Sequence, residues 1–109
     1  MNSHGEVSLM WEDDLLTIKV YGPFNETGVK NTLSLIQESI LNQNLKSWRK
    51  IELWDEEVLG SPDVVSSAKA VSKWYKENGC YASAIIVCNS LQQQIIDSAR
   101  SSNNNVMPF

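Results

Sequence analysis

The sequence has little of what most catalytic and metal sites require. Among its 109 residues it has one histidine, His4, and two cysteines, Cys80 and Cys88. A lone histidine near the start of the chain does not support a Ser-His-acid triad or a histidine-bearing metal cluster. Walker and dinucleotide-binding glycine patterns are also missing, since Gly60 and Gly79 stand alone. We therefore expect no enzyme: no catalytic residues, no metal and no cofactor.

Positive charge is scarce as well. Nine Lys and Arg face thirteen Asp and Glu, which gives a net charge of −4. Binding to nucleic acid and to anionic lipid surfaces depends on clustered Lys and Arg, so we do not expect a nucleic-acid partner. No apolar run approaches the ~20 residues that span a bilayer. Residues 1–6 also lack the basic-then-apolar pattern of an export signal. The sequence thus predicts no membrane span.

The two cysteines favour a reducing compartment. If Cys80 and Cys88 bracket a strand that rises ~3.3 Å per residue, they lie beyond the ~7 Å limit for a disulfide. We expect free thiols, with Cys88 as a small buried hydrophobe at a strand end. Free thiols are common in the cytoplasm, which is the expected location.

What the chain does contain is typical of one folded domain over residues 1–109. Apolar residues make up 42% and charged residues 20% of the sequence, which are ordinary globular values. Alternation and helical periodicity predict the order β-β-α-β-α-β-α, with strands at 7–11, 15–21, 49–54 and 82–88. The helices begin at N-caps on Asn25, Ser61, and Asn89 or Ser90, and Asn78-Gly79 ends the second helix. Each predicted helix has a row of residues expected to face the core. They are Val29, Leu33, Ile36 and Ile40 in the first helix, Val64, Ala68, Val71 and Tyr75 in the second, and Leu91, Ile95 and Ala99 in the third.

These elements predict a layered α/β fold with a mixed sheet of four to five strands. The first two strands form a hairpin, and right-handed crossovers make the later strands parallel. In strand 49–54, Ile51 and Leu53 alternate with Lys50 and Glu52. Strand 82–88 is almost continuously apolar, so we expect it to be central and covered on both faces. Residues 106–109 are a candidate for a marginal last strand.

The carboxyl edge of such a sheet is where a ligand or partner would bind. The residues that the predicted order gathers there are Phe24, Asn25, Trp54, Asp55, Ser61 and Asn89. We assign Trp54 to this edge, and the remaining tryptophans, Trp11, Trp48 and Trp74, to packing.

An acidic run follows the third predicted strand. Asp55, Glu56 and Glu57 could hold Mg²⁺ or act as a phospho-accepting site, because carboxylates are ligands for hard cations. A receiver-type site needs further acids at the same edge, whereas Asp13 and Asp14 fall in the hairpin turn at the other edge. A solvated acidic loop is the favoured interpretation.

Two short motifs carry a family resemblance: Gly22-Pro23-Phe24-Asn25 before the first helix, and Leu59-Gly60-Ser61-Pro62 before the second. With the order of elements over roughly residues 6–100, they resemble the STAS-type domain, particularly its SpoIIAA-like bacterial relatives. The resemblance implies a non-enzymatic domain that binds protein partners, sometimes binds lipid or nucleotide, and is sometimes phosphorylated at the start of the second helix. Ser61 matches that position, and the alternative is that it only caps the helix.

Two functions follow as hypotheses. The first is a regulatory module that docks a protein partner through the edge containing Phe24, Trp54 and Ser61. The alternative is a carrier that holds a lipid or another small apolar molecule between sheet and helices. Whether the domain is a monomer or a homodimer is left open.

Overall fold

The computed structural model describes residues 5–58 and 62–100, without the side chains of 62–65, 68, 99 and 100. Its strands and helices follow one another in the predicted order, β-β-α-β-α-β-α. The strands are β1 Glu6–Glu12, β2 Leu15–Tyr21, β3 Trp48–Trp54 and β4 Cys80–Ile86, and the helices are α1 Glu26–Gln43, α2 Pro62–Glu77 and α3 Ser90–Arg100. The predicted Ser61 cap, the strand at 106–109, and the inward side chains of Val64, Ala68 and Ala99 lie outside the described part.

The sheet has four strands in the order β1-β2-β3-β4. β1 pairs with β2 antiparallel, and β2 with β3 and β3 with β4 are parallel. The prediction that β4 is central is wrong, because β4 is an edge strand. Both crossovers proceed in the same direction, so each new strand adds at one side of the sheet. The apolar residues of β4 are therefore not all buried, and Tyr81 and Ile86 are exposed.

The helix ends follow the predicted caps. Asn25 Oδ1 accepts a hydrogen bond from Gly28 N at 2.7 Å, and Asn89 Oδ1 accepts one from Gln92 N at 2.9 Å. Each cap satisfies a backbone donor that the first helical turn leaves without an intrahelical partner. Gly79 follows α2 with φ 100°, a left-handed conformation that glycine adopts without steric cost.

The three helices lie on one face of the sheet, where α1 contacts α2 and α2 contacts α3. Ile36 and Ile40 of α1 and Tyr75 of α2 are buried against this face, as predicted. In α3 the prediction is wrong for Leu91, which is exposed. The residues buried in its place are Gln92 and Ile96, one position further along the helix.

Two charged residues of β3, Lys50 and Glu52, face the helices. Lys50 is buried, whereas Ile51 and Leu53 lie on the opposite face and are half-buried. The alternating pattern predicted the strand correctly. Apolarity alone, however, would have predicted Ile51 and Leu53, rather than Lys50, on the inward face. Trp48 and Trp54 lie an even number of positions from Lys50, so all three point to the same face of the sheet. Because Trp48 is buried, this face is the one that packs on the core.

Trp48 is the centre of the hydrophobic core. It is fully buried, and its ring makes edge-to-face contacts with Trp11 at 6.1 Å and with Tyr75 at 5.8 Å between centroids. Its indole Nε1 donates to the carbonyl of Asn78 at 2.8 Å. Trp11 and Trp74 pack against the same core, so the three tryptophans assigned to packing lie where packing requires them.

The other face of the sheet carries exposed Met10 and Ile86. At the amino edge, Asp14 accepts hydrogen bonds from the Tyr81 hydroxyl at 2.7 Å and from Arg49 Nε at 3.0 Å. Both bonds lower the pKa of Asp14, and the bond from Tyr81 has the larger effect. The hairpin acids are therefore at the edge opposite the acidic loop, as expected. No helix in the described ranges has both the length and the apolarity needed to cross a membrane.

Candidate functional site

The loops that follow β2 and β3 are joined at the carboxyl edge of the sheet. Asp55 N donates to the carbonyl of Val20 at 3.0 Å, and Asp55 Oδ1 accepts from Gly22 N at 3.1 Å. The two backbones approach so closely at Gly22 that a Cβ there would overlap the carbonyl of Glu57. Glycine is required at this contact because it has no Cβ.

The loop after β4 joins the same edge through Gln92, which sequence reasoning missed. Gln92 is fully buried, and its Nε2 donates to the carbonyls of Asp55 at 2.6 Å and Val58 at 2.9 Å. Its Oε1 accepts from Cys88 N at 2.8 Å. One amide therefore satisfies three backbone groups of two loops. One signal in the sequence could have indicated this role of Gln92. It is a polar residue three positions before Ile95, and therefore on the inward side of the helix.

Of the six predicted edge residues, three serve as acceptors within the fold. Asn25 and Asn89 cap helices. Asp55 Oδ1 accepts from the backbone of both Gly22 and Glu57. Ser61 lies outside the described residues, and its capping and phosphorylation stay predictions. Over the described ranges no cluster of His, Cys, Asp and Glu suits a metal ion, and Glu56 and Glu57 are exposed.

The other two, Phe24 and Trp54, line a cavity between the sheet and the helices. Its volume is about 150 Å³, it is partly open to solvent, and its walls are mostly apolar. All three helices, strands β2, β3 and β4, and the loop residue Val58 contribute to the lining. Protein cores are packed to near crystal density and contain few voids larger than a water molecule, so a cavity of this size is a distinctive feature.

The cavity follows the inward face of β3. Lys50, Glu52 and Trp54 occupy successive inward positions and all line it, and a strand rise of ~3.3 Å per residue places the first and last roughly 13 Å apart. At the Lys50 end the lining is buried, as are Tyr75 and Ile36. At the Trp54 end it is half-buried, as is Phe24. The cavity thus has a buried polar end and a more open aromatic end.

A buried ion pair forms the polar end. Lys50 Nζ lies 3.5 Å from Glu52 Oε2 and donates to Ser83 Oγ at 2.8 Å. It also lies 4.9 Å from the centroid of the Tyr75 ring, within the range of a cation–π contact. Side-chain exposure is only 5% for Lys50 and 13% for Glu52. Burial of such a pair is tolerated only when each charge is well compensated, which these contacts provide for the ammonium group.

Tyr75 has an unpartnered hydroxyl. Its oxygen is buried and has no hydrogen-bond partner among the described residues. Burial, followed by the nearby Glu52 carboxylate, raises the pKa of the phenol well above its ordinary value. The hydroxyl is therefore protonated at neutral pH and can donate. Buried polar groups are nearly always paired, so this unpaired hydroxyl is an unfavourable feature of the core.

Replacing Tyr75 with phenylalanine should stabilise the ligand-free domain by about 1 to 3 kcal/mol. An unpaired buried hydroxyl carries a desolvation cost of that size, and phenylalanine removes it while keeping the ring. Urea unfolding followed by circular dichroism measures the change. The matched control is Tyr81→Phe, which removes the exposed hydroxyl bonded to Asp14 and should leave stability unchanged or slightly lower. If Tyr75→Phe is the less stable of the two variants, the hydroxyl is paired after all.

The cysteines are free thiols, as expected, but the prediction that Cys88 is buried is wrong. Cys80 is buried, whereas Cys88 is exposed because β4 ends at Ile86, before it. Cys88 Sγ donates to the carbonyl of Trp54 at 3.1 Å. Burial raises the pKa of the Cys80 thiol, which disfavours the reactive thiolate.

The site is a mostly apolar cavity whose lining includes a compensated ion pair and the hydroxyl-bearing residues Thr32, Ser67 and Ser72, closed on one side by loops that Asp55 and Gln92 hold together. Comparison with known proteins adds no further assignment: no family model, no curated protein and no solved structure matches this chain.

Proposed function

We propose that this domain binds a small, largely apolar molecule in the cavity between its sheet and its helices, as a carrier or a sensor. The observation that supports the proposal is the cavity of about 150 Å³. An engineered apolar cavity of about 150 Å³ in another protein binds benzene, so the volume suits a ligand of that size. The function is the alternative that the sequence suggested, with the buried site specified.

Energetically unfavourable groups are concentrated at the buried end of the cavity, which supports a functional role. The unpaired hydroxyl of Tyr75 and the buried charges of Lys50 and Glu52 lie in the same place. Unfavourable features concentrated in one concave site are typical of binding sites.

The proposal is for binding rather than for catalysis. Lys50 is engaged by Glu52 and Ser83, and burial keeps Tyr75 protonated, so neither group is available as a base or a nucleophile. We also propose the STAS-type, SpoIIAA-like arrangement. It is supported by the order of elements, by β1 lying antiparallel to an otherwise parallel sheet, and by the helices sharing one face. A regulatory role of the kind seen in that family would then be exerted through the bound molecule.

Docking of a protein partner at the carboxyl edge stays a prediction. Of its three proposed contacts, Phe24 and Trp54 both line the cavity. A Trp54→Ala variant would therefore change partner docking and ligand binding together. Partner capture has to be compared between Trp54→Ala and a variant that alters only the cavity.

A change at Ser67 should weaken binding at least tenfold. Ser67 of α2 lines the cavity, whereas its neighbour Ser66 is exposed. Adjacent helical residues point in different directions, so Ser67→Leu adds an isobutyl group to the cavity and Ser66→Leu adds the same group to the surface. With toluene as the probe, titration calorimetry should show binding to wild type and to Ser66→Leu, and a loss of at least tenfold in affinity for Ser67→Leu.

Two results would count against the proposal. One is toluene affinity that is equal in the two serine variants, which would place the probe elsewhere on the molecule. The other is a wild-type protein that binds no toluene at concentrations approaching its solubility.

A further inference from the structure

We infer that the natural ligand is an uncharged molecule that carries a hydroxyl group, such as a phenol or an alcohol, and that hydroxyls on α1 and α2 select it. The inference rests on the proposed function, because it assigns a ligand class to the same cavity. It depends on which polar groups of the lining a ligand can reach, and on the balance of charge beside them.

Three residues with hydroxyl groups line the cavity on its helical side: Thr32 of α1, and Ser67 and Ser72 of α2. Within the described ranges none of the three hydroxyls makes a hydrogen bond. In the same ranges, the side-chain oxygen that is both unpaired and fully enclosed is that of Tyr75, so the three oxygens on the helical side are accessible. A ligand in the cavity can therefore contact these hydroxyls, whereas the hydroxyl of Tyr75 is out of its reach.

The three hydroxyls lie at two depths in the cavity. The helices α1 and α2 follow the parallel strands β2 and β3, so both begin at the carboxyl edge of the sheet. A helical rise of ~1.5 Å per residue places Thr32 roughly 9 Å and Ser67 roughly 8 Å from the start of its helix, and Ser72 roughly 15 Å along α2. A ligand therefore meets a hydroxyl both at the middle of the domain and deeper inside it.

Hydroxyl groups on the cavity wall favour a ligand that has a hydroxyl of its own. A hydroxyl both donates and accepts, so the wall can pair with a ligand hydroxyl in either direction. A hydrocarbon that fills the cavity separates the wall hydroxyls from water and gives them no partner, which is unfavourable. Discrimination between ligands is largest where polar groups of the site would otherwise stay unpaired. The apolar residues of the lining then accommodate the hydrocarbon part of the ligand.

The cavity offers no net charge to an ionic ligand. Among its described lining residues, Lys50 and Glu52 are the charged ones, and Lys50 Nζ lies 3.5 Å from Glu52 Oε2. A carboxylate beside Lys50 would also approach the carboxylate of Glu52, and an ammonium group beside Glu52 would approach Lys50. Either ion would leave water without a free counter-charge, which is strongly unfavourable. The lining therefore favours neutral molecules over acids and amines.

The test compares phenol with toluene, in which a methyl group replaces the hydroxyl. Titration calorimetry gives the dissociation constants of both probes for wild type and for a triple variant without the wall hydroxyls, Thr32→Val with Ser67→Ala and Ser72→Ala, whose fold is checked by circular dichroism. The ratio of the two constants, toluene over phenol, should fall about tenfold in the variant, which corresponds to one hydrogen bond of about 1.4 kcal/mol. Differences in the water solubility of the probes cancel in this comparison.

The matched control makes the same three changes outside the cavity. Thr17 lies on the other face of the sheet, and Ser34 and Ser66 are exposed on α1 and α2. The variant Thr17→Val with Ser34→Ala and Ser66→Ala should keep the wild-type ratio. Benzoate and benzylammonium, the charged counterparts of the probes, should bind wild type at least tenfold more weakly than phenol.

The outcomes separate this inference from the proposed function. A ratio that is the same in wild type and in the cavity variant, a ratio that falls equally in the control, or tighter binding of a charged probe overturns the ligand class and leaves cavity binding intact. If neither phenol nor toluene binds wild type, the proposed function fails and the inference fails with it. The charged probes need wild type alone, so the inference can be overturned even if the cavity variant does not fold.

Discussion

Replacing Glu52 with leucine should destabilise the domain by about 3 to 5 kcal/mol, because it leaves the buried ammonium of Lys50 without its counter-charge. The two side chains are only 13% and 5% exposed, so water cannot fully replace the lost carboxylate. Ser83 alone would remain as a polar partner of Lys50. The loss is measured as the change in the free energy of unfolding in urea.

A double variant separates charge from packing. Lys50→Met combined with Glu52→Leu removes both charges and should recover most of the stability, since apolar replacements of a buried pair are often neutral or stabilising. Glu12→Leu, at an exposed strand position, is the control and should change stability little. A loss of less than 1 kcal/mol for Glu52→Leu would mean that the pair is solvated, and the polar end of the cavity would have to be redrawn.

Replacing Trp48 with alanine should cost about 3 to 5 kcal/mol, through lost burial and the void that remains. The side chain is completely buried between Trp11 and Tyr75, and its indole nitrogen donates to Asn78. Against a typical total of about 5 to 15 kcal/mol, this loss would be a large fraction of the stability of the domain. Circular dichroism in urea measures it without relying on tryptophan fluorescence.

The companion variant Trp48→Phe keeps a ring but removes the hydrogen bond to Asn78. It should cost clearly less than the alanine variant, because most of the buried apolar surface is retained. Equal losses for the two variants would show that the hydrogen bond rather than the packing dominates at this position. That result would contradict the placement of Trp48 at the centre of the core.

Local patterns were sufficient to predict the elements and their order. The caps at Asn25 and Asn89 and the terminator at Gly79 are chemical signals that act within a few residues, so they are visible in the sequence. The position of β4 is not a local property. Its apolar run suits a covered strand, yet the crossover directions place it at the edge, where Ile86 is exposed. Apolar content therefore did not distinguish a central strand from an edge strand.

The candidate site was predicted only in part, for a related reason. Phe24 and Trp54 lie at the carboxyl edge, because the direction of parallel strands determines which loops meet there, and their role in binding stays a prediction. The polar end was missed because Lys50 and Glu52 are residue types that normally face water. The tryptophans at the two ends of β3 point to the same face as Lys50 and Glu52. They could have shown that this charged face is the inward one. Tyr75 was predicted to be buried, but its unpaired hydroxyl depends on contacts that no pattern records.

The central claim is that a small apolar molecule binds inside the cavity, and a methyl titration tests it most directly. Ile85 lines the cavity, whereas its neighbour Ile86 is exposed on the other face of the sheet. In protein labelled at the isoleucine δ1 methyls, toluene should shift the resonances of Ile85 and Ile96 through its ring current and leave Ile86 unmoved. Shifts at Ile86 with none at Ile85 and Ile96, or no shift at any isoleucine, would contradict the account.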